Sequence, residues 1–129
     1  MVKKLRYKSV EDVPVWKKAH TLTLQVYKVT RKFPRHEIYG LTSQLRRASS
    51  SVPANIVEGF SKNTTKELIQ FLYNARASCA EVLYHMRLAF DLKYLSEKEY
   101  KIFKDGYNEV GKQINGWINS LRKKLNISH

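Results

Sequence analysis

Arg47, Ser51, Asn55 and Glu58 follow one another at steps of four, four and three residues, with Arg46 just outside the series. On a helix that spacing lays a polar stripe along one side. Guanidinium forks beside an amide and a carboxylate can serve two ends. They can meet the phosphates and base edges of a nucleic acid, or close a hydrogen-bond network within the chain or between subunits. For Arg46 and Arg47 the two readings stand level. For Asn55 and Glu58 the structural network leads, with Asn55 bonding to backbone loosened by Pro53.

Further cations accompany them. Lys17 with Lys18, and Arg122 with Lys123 and Lys124, form short basic clusters suited to phosphate contact. Eight tyrosines and two tryptophans are present for base stacking, but most fall on or beside the apolar stripes, so stacking is secondary.

Enzyme signatures are missing: there is no HExxH, no glycine-rich phosphate loop and no GxSxG. Glu81 and His85 are the nearest approach to a metal site. A di-iron bundle needs Glu and His three apart on two helices with further carboxylates, so a surface pair four apart is the better account. Cys79 falls on an apolar stripe and reads as a small buried hydrophobe. His20, His36 and His129 stand far apart with no nucleophile beside them. No enzyme activity, metal, cofactor or small-molecule substrate is expected.

The 129 residues hold 24 Lys+Arg against 11 Asp+Glu, a net charge of +13. Such a balance favours nucleic acid, an anionic membrane surface or an acidic protein as partner. A lone cysteine excludes an internal disulfide framework and fits a reducing interior. MVKKLRYKSVEDVPVW is basic but lacks the apolar run of a secretory signal, and no stretch is apolar enough to span a bilayer. A cytoplasmic protein is expected.

Four apolar stripes of helical spacing must position these groups. The first runs through Val15, Ala19, Leu22, Val26, Val29 and Phe33, where Pro34 stops it. The second takes in Ile38, Leu41, Leu45, Ala48, Val52 and Ile56, with Gly59 as its end. The third is Leu68, Leu72, Ala75, Cys79, Val82, Met86 and Ala89; the fourth is Phe103, Tyr107, Val110, Ile114, Trp117 and Leu121. Thr64 with Glu67, and Ser96 with Glu99, have the spacing of capping boxes. The pattern predicts an all-α domain over 13–126, with helices near 13–33, 38–59, 64–92 and 96–125. Residues 1–12 would form a flexible basic segment, and Asn126 to His129 a frayed tail.

Short links between long helices imply an antiparallel, up-down-up-down four-helix bundle. One end would then gather Lys3, Lys4, Arg6, Lys8, Lys17, Lys18, Lys62, Lys66, Arg122, Lys123 and Lys124 against Glu11, Asp12, Glu58 and Glu67. An oligomer would multiply that charge into a strong field. The apolar stripes are all needed for the core, which leaves no free amphipathic face for a membrane. Pro53 breaks the pattern. It interrupts the second stripe, yet Val52 and Ile56 keep phase across it, which favours one kinked helix over two short ones.

The stretch from Phe33 to Phe60 closely resembles the four-helix bundle family of 23S rRNA intervening-sequence proteins. Phe33-Pro34, Tyr39-Gly40-Leu41, Arg46-Arg47 and Pro53-Ala54-Asn55-Ile56-Val57-Glu58-Gly59 match that family's pattern in order. The segments Val15 to His20 and Tyr94 to Tyr100 are also similar, so the likeness reaches from about Val13 to Leu125. The resemblance implies a homopentamer with a central channel. It also brings in the accessory variability determinant of diversity-generating retroelements, a basic pentamer that binds a reverse transcriptase and nucleic acid. By that route RNA or DNA and a reverse transcriptase become the expected partners. The alternative is a protein-interaction scaffold of the intervening-sequence type, whose positive surface meets an acidic protein.

Overall fold

The computed structural model describes residues 5–128, and its secondary structure is helical throughout, with no strand among the described residues. Lys3, Lys4 and His129 lie outside them. Four α-helices carry the chain: α1 (Pro14–Thr30), α2 (Leu41–Phe60), α3 (Thr65–Asp91) and α4 (Glu97–Ser128). α1 packs against α2 and α4, and α3 packs against the same two, which closes a four-helix bundle.

Local chemistry sets each start. Pro14 occupies the first turn of α1, where a missing N–H costs nothing. Thr64 accepts from Glu67 N at 3.2 Å and donates to its Oε1 at 2.8 Å, opening α3. At α4, Ser96 N donates to Glu99 Oε1 at 2.9 Å while Glu99 N donates back to Ser96 Oγ at 3.1 Å. This is a complete reciprocal capping box. α2 opens differently. Arg35–Glu37 form a 3-10 turn, and Glu37 Oε1 accepts from Leu41 N at 3.1 Å.

That turn corrects two expectations. α1 ends at Thr30, three residues before Phe33: the N–H groups of Arg31, Lys32 and Phe33 bond three residues back, to Lys28, Val29 and Thr30, and Pro34 disfavours a helical Phe33. α2 begins at Leu41, so Ile38 is half exposed and not a core residue. Phe33 is still buried, and its ring lies 5.3 Å from that of Tyr94.

The core joins all four helices. Leu45, Val52, Ile56, Leu68, Leu72, Val82, Met86, Tyr107, Val110 and Ile114 are completely buried or nearly so. On α4 the buried stripe continues through Ile118 where the regular four-three step points to Trp117, because a straight helix turns 3.6 residues, not 3.5. α4 also runs to Ser128, past the expected end: nothing after Gly116 breaks a helix, and Leu125 still packs on the core. At the other terminus Leu5, Tyr7 and Val10 pack against the bundle, and Ser9 caps a 3-10 turn, Val10–Asp12. The part of 1–12 that is described is therefore seated on the bundle.

Gly59 is not the end of α2, which continues to Phe60. A Cβ there would lie 2.9 Å from Leu68 Cδ1 and 3.0 Å from Phe71 Cβ. Its role is to let α2 and α3 approach closely.

Candidate nucleic-acid interface

Pro53 lies buried inside one unbroken helix, so the second stripe is a single element. Without an N–H it cannot serve Ser49 O, four residues back. That carbonyl instead accepts from Thr23 Oγ1 of α1 at 2.9 Å. The donor comes from another helix rather than from the adjacent serines. Ser49 and Ser50 hydroxyls bond to Arg46 O and Arg47 O, each at 3.1 Å. Asn55 Nδ2 donates to Ser51 O at 2.8 Å and Ser51 Oγ at 3.0 Å, and Ser51 Oγ pairs with Ser78 of α3 at 2.9 Å. Asn55 thus belongs to a polar seam between α2 and α3.

The two adjacent arginines part company. Arg46 Nε donates to Thr30 Oγ1 at 2.9 Å, and its guanidinium sits 5.0 Å from the Tyr27 ring centre. A cation at the last turn of α1 also complements the negative end of that helix. Arg47 points outward, and among the described residues nothing bonds its guanidinium. Glu58 is exposed as well, with no side-chain partner to Arg47. The Arg47–Glu58 network within the chain is not formed.

Lys17, Lys18, Arg122, Lys123 and Lys124 are all exposed. Lys17 and Lys18 line a groove between α1 and α4 whose wall includes Ile102, Asp105 and Gly106. Next to them Trp16 stacks on His20, ring centres 4.9 Å apart and nearly parallel, with its buried Nε1 lacking a hydrogen-bond partner among the described residues. Lys124 lines a second recess of about 370 Å3 with Arg6, Tyr7, Pro14 and Trp117, which brings residues of the start of α1 and of the second half of α4 together. Lys62 lies 5.2 Å from the Phe71 ring centre.

At the opposite end of α1, Arg31, Arg35 and Arg46 line a groove of about 560 Å3 with Thr30, Ile38 and Thr42. The spacing of Arg31 and Arg35 carries no signal of this. They share a groove only because the chain folds back through the Arg35–Glu37 turn. Nearby carboxylates are already occupied. Glu37 Oε2 accepts from Tyr94 OH at 2.8 Å, and Glu99 is paired with Lys32. Its bonds to Leu41 N and Tyr94 hold the Glu37 carboxyl below the usual carboxylate range.

Glu81 is exposed and His85 half-buried, and no cluster of three metal-binding side chains occurs among the described residues. Cys79 is buried, and burial pushes its thiol up to about 12. No helix among the described residues is long and apolar enough to cross a membrane.

A crystal structure of a protein with unknown function from the S23 ribosomal protein family of Bacteroides thetaiotaomicron has the same fold, with a TM-score of 0.73. It is 20% identical, and the alignment covers 81% of this chain and 97% of that one. No curated protein matches. The family described as 23S rRNA-intervening sequence protein matches residues 11–116, nearly all of the bundle. The chain belongs to the 23S rRNA-intervening sequence protein family.

Proposed function

We propose that the chain is a non-enzymatic, cytoplasmic accessory protein that binds RNA or DNA as a homopentamer of antiparallel bundles and works beside a reverse transcriptase. The observation that carries this reading is the placement of its +13 charge. The cations lie outside a filled core, and most of Lys17, Lys18, Arg31, Arg35, Arg47, Arg122 and Lys123 face solvent without a carboxylate opposite them. A surface dominated by one sign of charge raises the local concentration of anions and speeds their association. Oligomerisation repeats the surface around an axis, which strengthens its field.

Contact pairs support the antiparallel course. Arg46 meets Thr30 while Ser49 meets Thr23, and Tyr100 stacks on Phe90 while Asn115 meets Arg76. In each pair of helices rising numbers meet falling ones. The family's name, with its rRNA insertion, agrees with a nucleic-acid setting.

Filter binding to RNA and DNA over a salt series tests the reading. Affinity should fall linearly on a log–log plot, as counterion release requires. Absence of binding at low salt overturns it. Light scattering should give a particle of five chain masses, and a monomer overturns the assembly.

A second reading, a protein-interaction scaffold, draws on exposed apolar side chains: Tyr39, Tyr84, Leu24 and Ile102. Capture of an acidic protein after nuclease treatment, by a chain without affinity for nucleic acid, favours it.

A further inference from the structure

The three-arginine groove lies about 21 Å along α1 from the Lys17–Lys18 cluster, fourteen residues at 1.5 Å each. It is therefore a separate surface. Its walls hold Arg31, Arg35 and Arg46 and no carboxylate. Glu37, two residues after Arg35, is engaged by Leu41 N and Tyr94, and Glu99 by Lys32. Among the described residues, Arg31 and Arg35 have no ion-pair partner, and both are exposed.

Arg46 is held in advance. One edge of its guanidinium is fixed by Thr30 Oγ1 and its face by Tyr27, which leaves Nη1 without a partner among the described residues. An anchored fork loses little further freedom when it binds an anion. Ile38 of the groove wall is 48% exposed, and Tyr39, the next residue in the chain, is 96% exposed. A tyrosine this exposed adds little to the core, but it offers a face on which an unpaired base can stack.

We propose that this groove seats a single-stranded nucleic-acid segment, with Arg31, Arg35 and Arg46 on its phosphates and Tyr39 against a base. The proposal rests on the nucleic-acid reading above and names its site and strand form. A short concave groove with an exposed aromatic suits an extended strand whose bases are unstacked, and a duplex hides those faces. The free forks of Arg31 and Arg35 match phosphate oxygens bidentately, as lysine would not, and Arg46 adds the donors of Nη1.

Fluorescence anisotropy with a labelled oligouridylate and a duplex of equal length tests this on the full chain. The wild type should bind the single strand more tightly than the duplex. The pair Arg31→Glu with Arg35→Glu should weaken single-strand binding tenfold or more. Replacing them by Gln should flatten the log–log salt slope by about 1.4, two phosphates at about 0.7 each. Tyr39→Ala should cost a few-fold at an unchanged slope. Helicity by circular dichroism should not change, since neither arginine side chain has a hydrogen-bond or ion-pair partner among the described residues; the Gln pair serves if charge reversal disturbs folding. Wild-type affinity in both arginine pairs, or preference for the duplex, overturns the groove and leaves nucleic-acid binding standing. Tighter binding of polyglutamate than of the oligonucleotide assigns the groove to an acidic protein and overturns it too. No binding of any nucleic acid by the wild type overturns both proposals.

Discussion

Thr23 on α1 donates its hydroxyl to the carbonyl of Ser49 on α2 at 2.9 Å, the acceptor that Pro53 leaves without a helical N–H. Thr23 Oγ1 is also 3.0 Å from Ala19 O, the usual back-bond of a helical threonine. One side chain thus answers a defect in the neighbouring helix, and a sequence anomaly becomes a fixed point between α1 and α2. Nearby Tyr107 is buried, and burial raises its pKa.

The first prediction concerns this pair. Thr23→Val should destabilise the wild type by about 1–3 kcal/mol, the cost of stranding a buried carbonyl. In a Pro53→Ala background the new N–H of residue 53 can serve Ser49 O, so the same substitution should cost less than half as much. Urea denaturation of the four proteins measures the coupling. Equal costs in both backgrounds would falsify the relationship.

Glycine to alanine should change sign with position. At Gly59 the new Cβ meets Leu68 Cδ1 and Phe71 Cβ, and the latter is tied to backbone. Overpacking of about 1–3 kcal/mol outweighs the helix-propensity gain of about 1 kcal/mol. At Gly116 nothing lies within 4 Å, so only the gain of about 1 kcal/mol remains. Thermal midpoints should move down for the first variant and up for the second.

The end of α3 holds a left-handed residue that is not glycine. Lys93 has φ 67°, its N–H bonds to Phe90 O, and Tyr94 N reaches Ala89 O, both at 2.9 Å. These are the two bonds of a Schellman motif. Lys93→Gly should stabilise the chain by about 0.5–1 kcal/mol, as a Cβ in that conformation is disfavoured. Lys93→Val should do the opposite. Chemical denaturation will separate them.

Acid should loosen the junction around Glu37. Its carboxyl is depressed first by the Leu41 N–H, then by Tyr94. A depressed carboxylate contributes stability that is complete above its unfolded value, near 4.5, and is lost as pH falls through the lower folded value. Glu99, lowered by Lys32 and by Ser96 N, acts in the same direction. Stability should decline below about pH 4.5, and less steeply in Glu37→Gln. An identical acid profile for that variant would count against the cap.

Helix existence was legible because it depends on neighbours in sequence. Thr64–Glu67 and Ser96–Glu99 lie three residues apart, and their bonds form within one turn. The fully buried third stripe, Leu68 to Ala89, needed no tertiary knowledge. Ile38 misled because the apolar spacing runs back through Gly40 with nothing to show that Glu37 would cap at Leu41. The donor for Ser49 lies 26 residues away, and the arginine groove exists only after a turn brings α1 and α2 together. Arg46 and Arg47, alike in sequence, differ because one faces α1 and the other solvent.

Cys79 sits in the core with its thiol raised to about 12, and the chain has no other cysteine. At pH 8 very little of it is the reactive thiolate, and only 3% of the residue is exposed. Purified protein should therefore stay reduced in air. A cysteine introduced at the surface, beside the arginine groove for instance, would then react alone with maleimide dyes or spin labels. The native chain is already a background for single-site labelling and distance measurement.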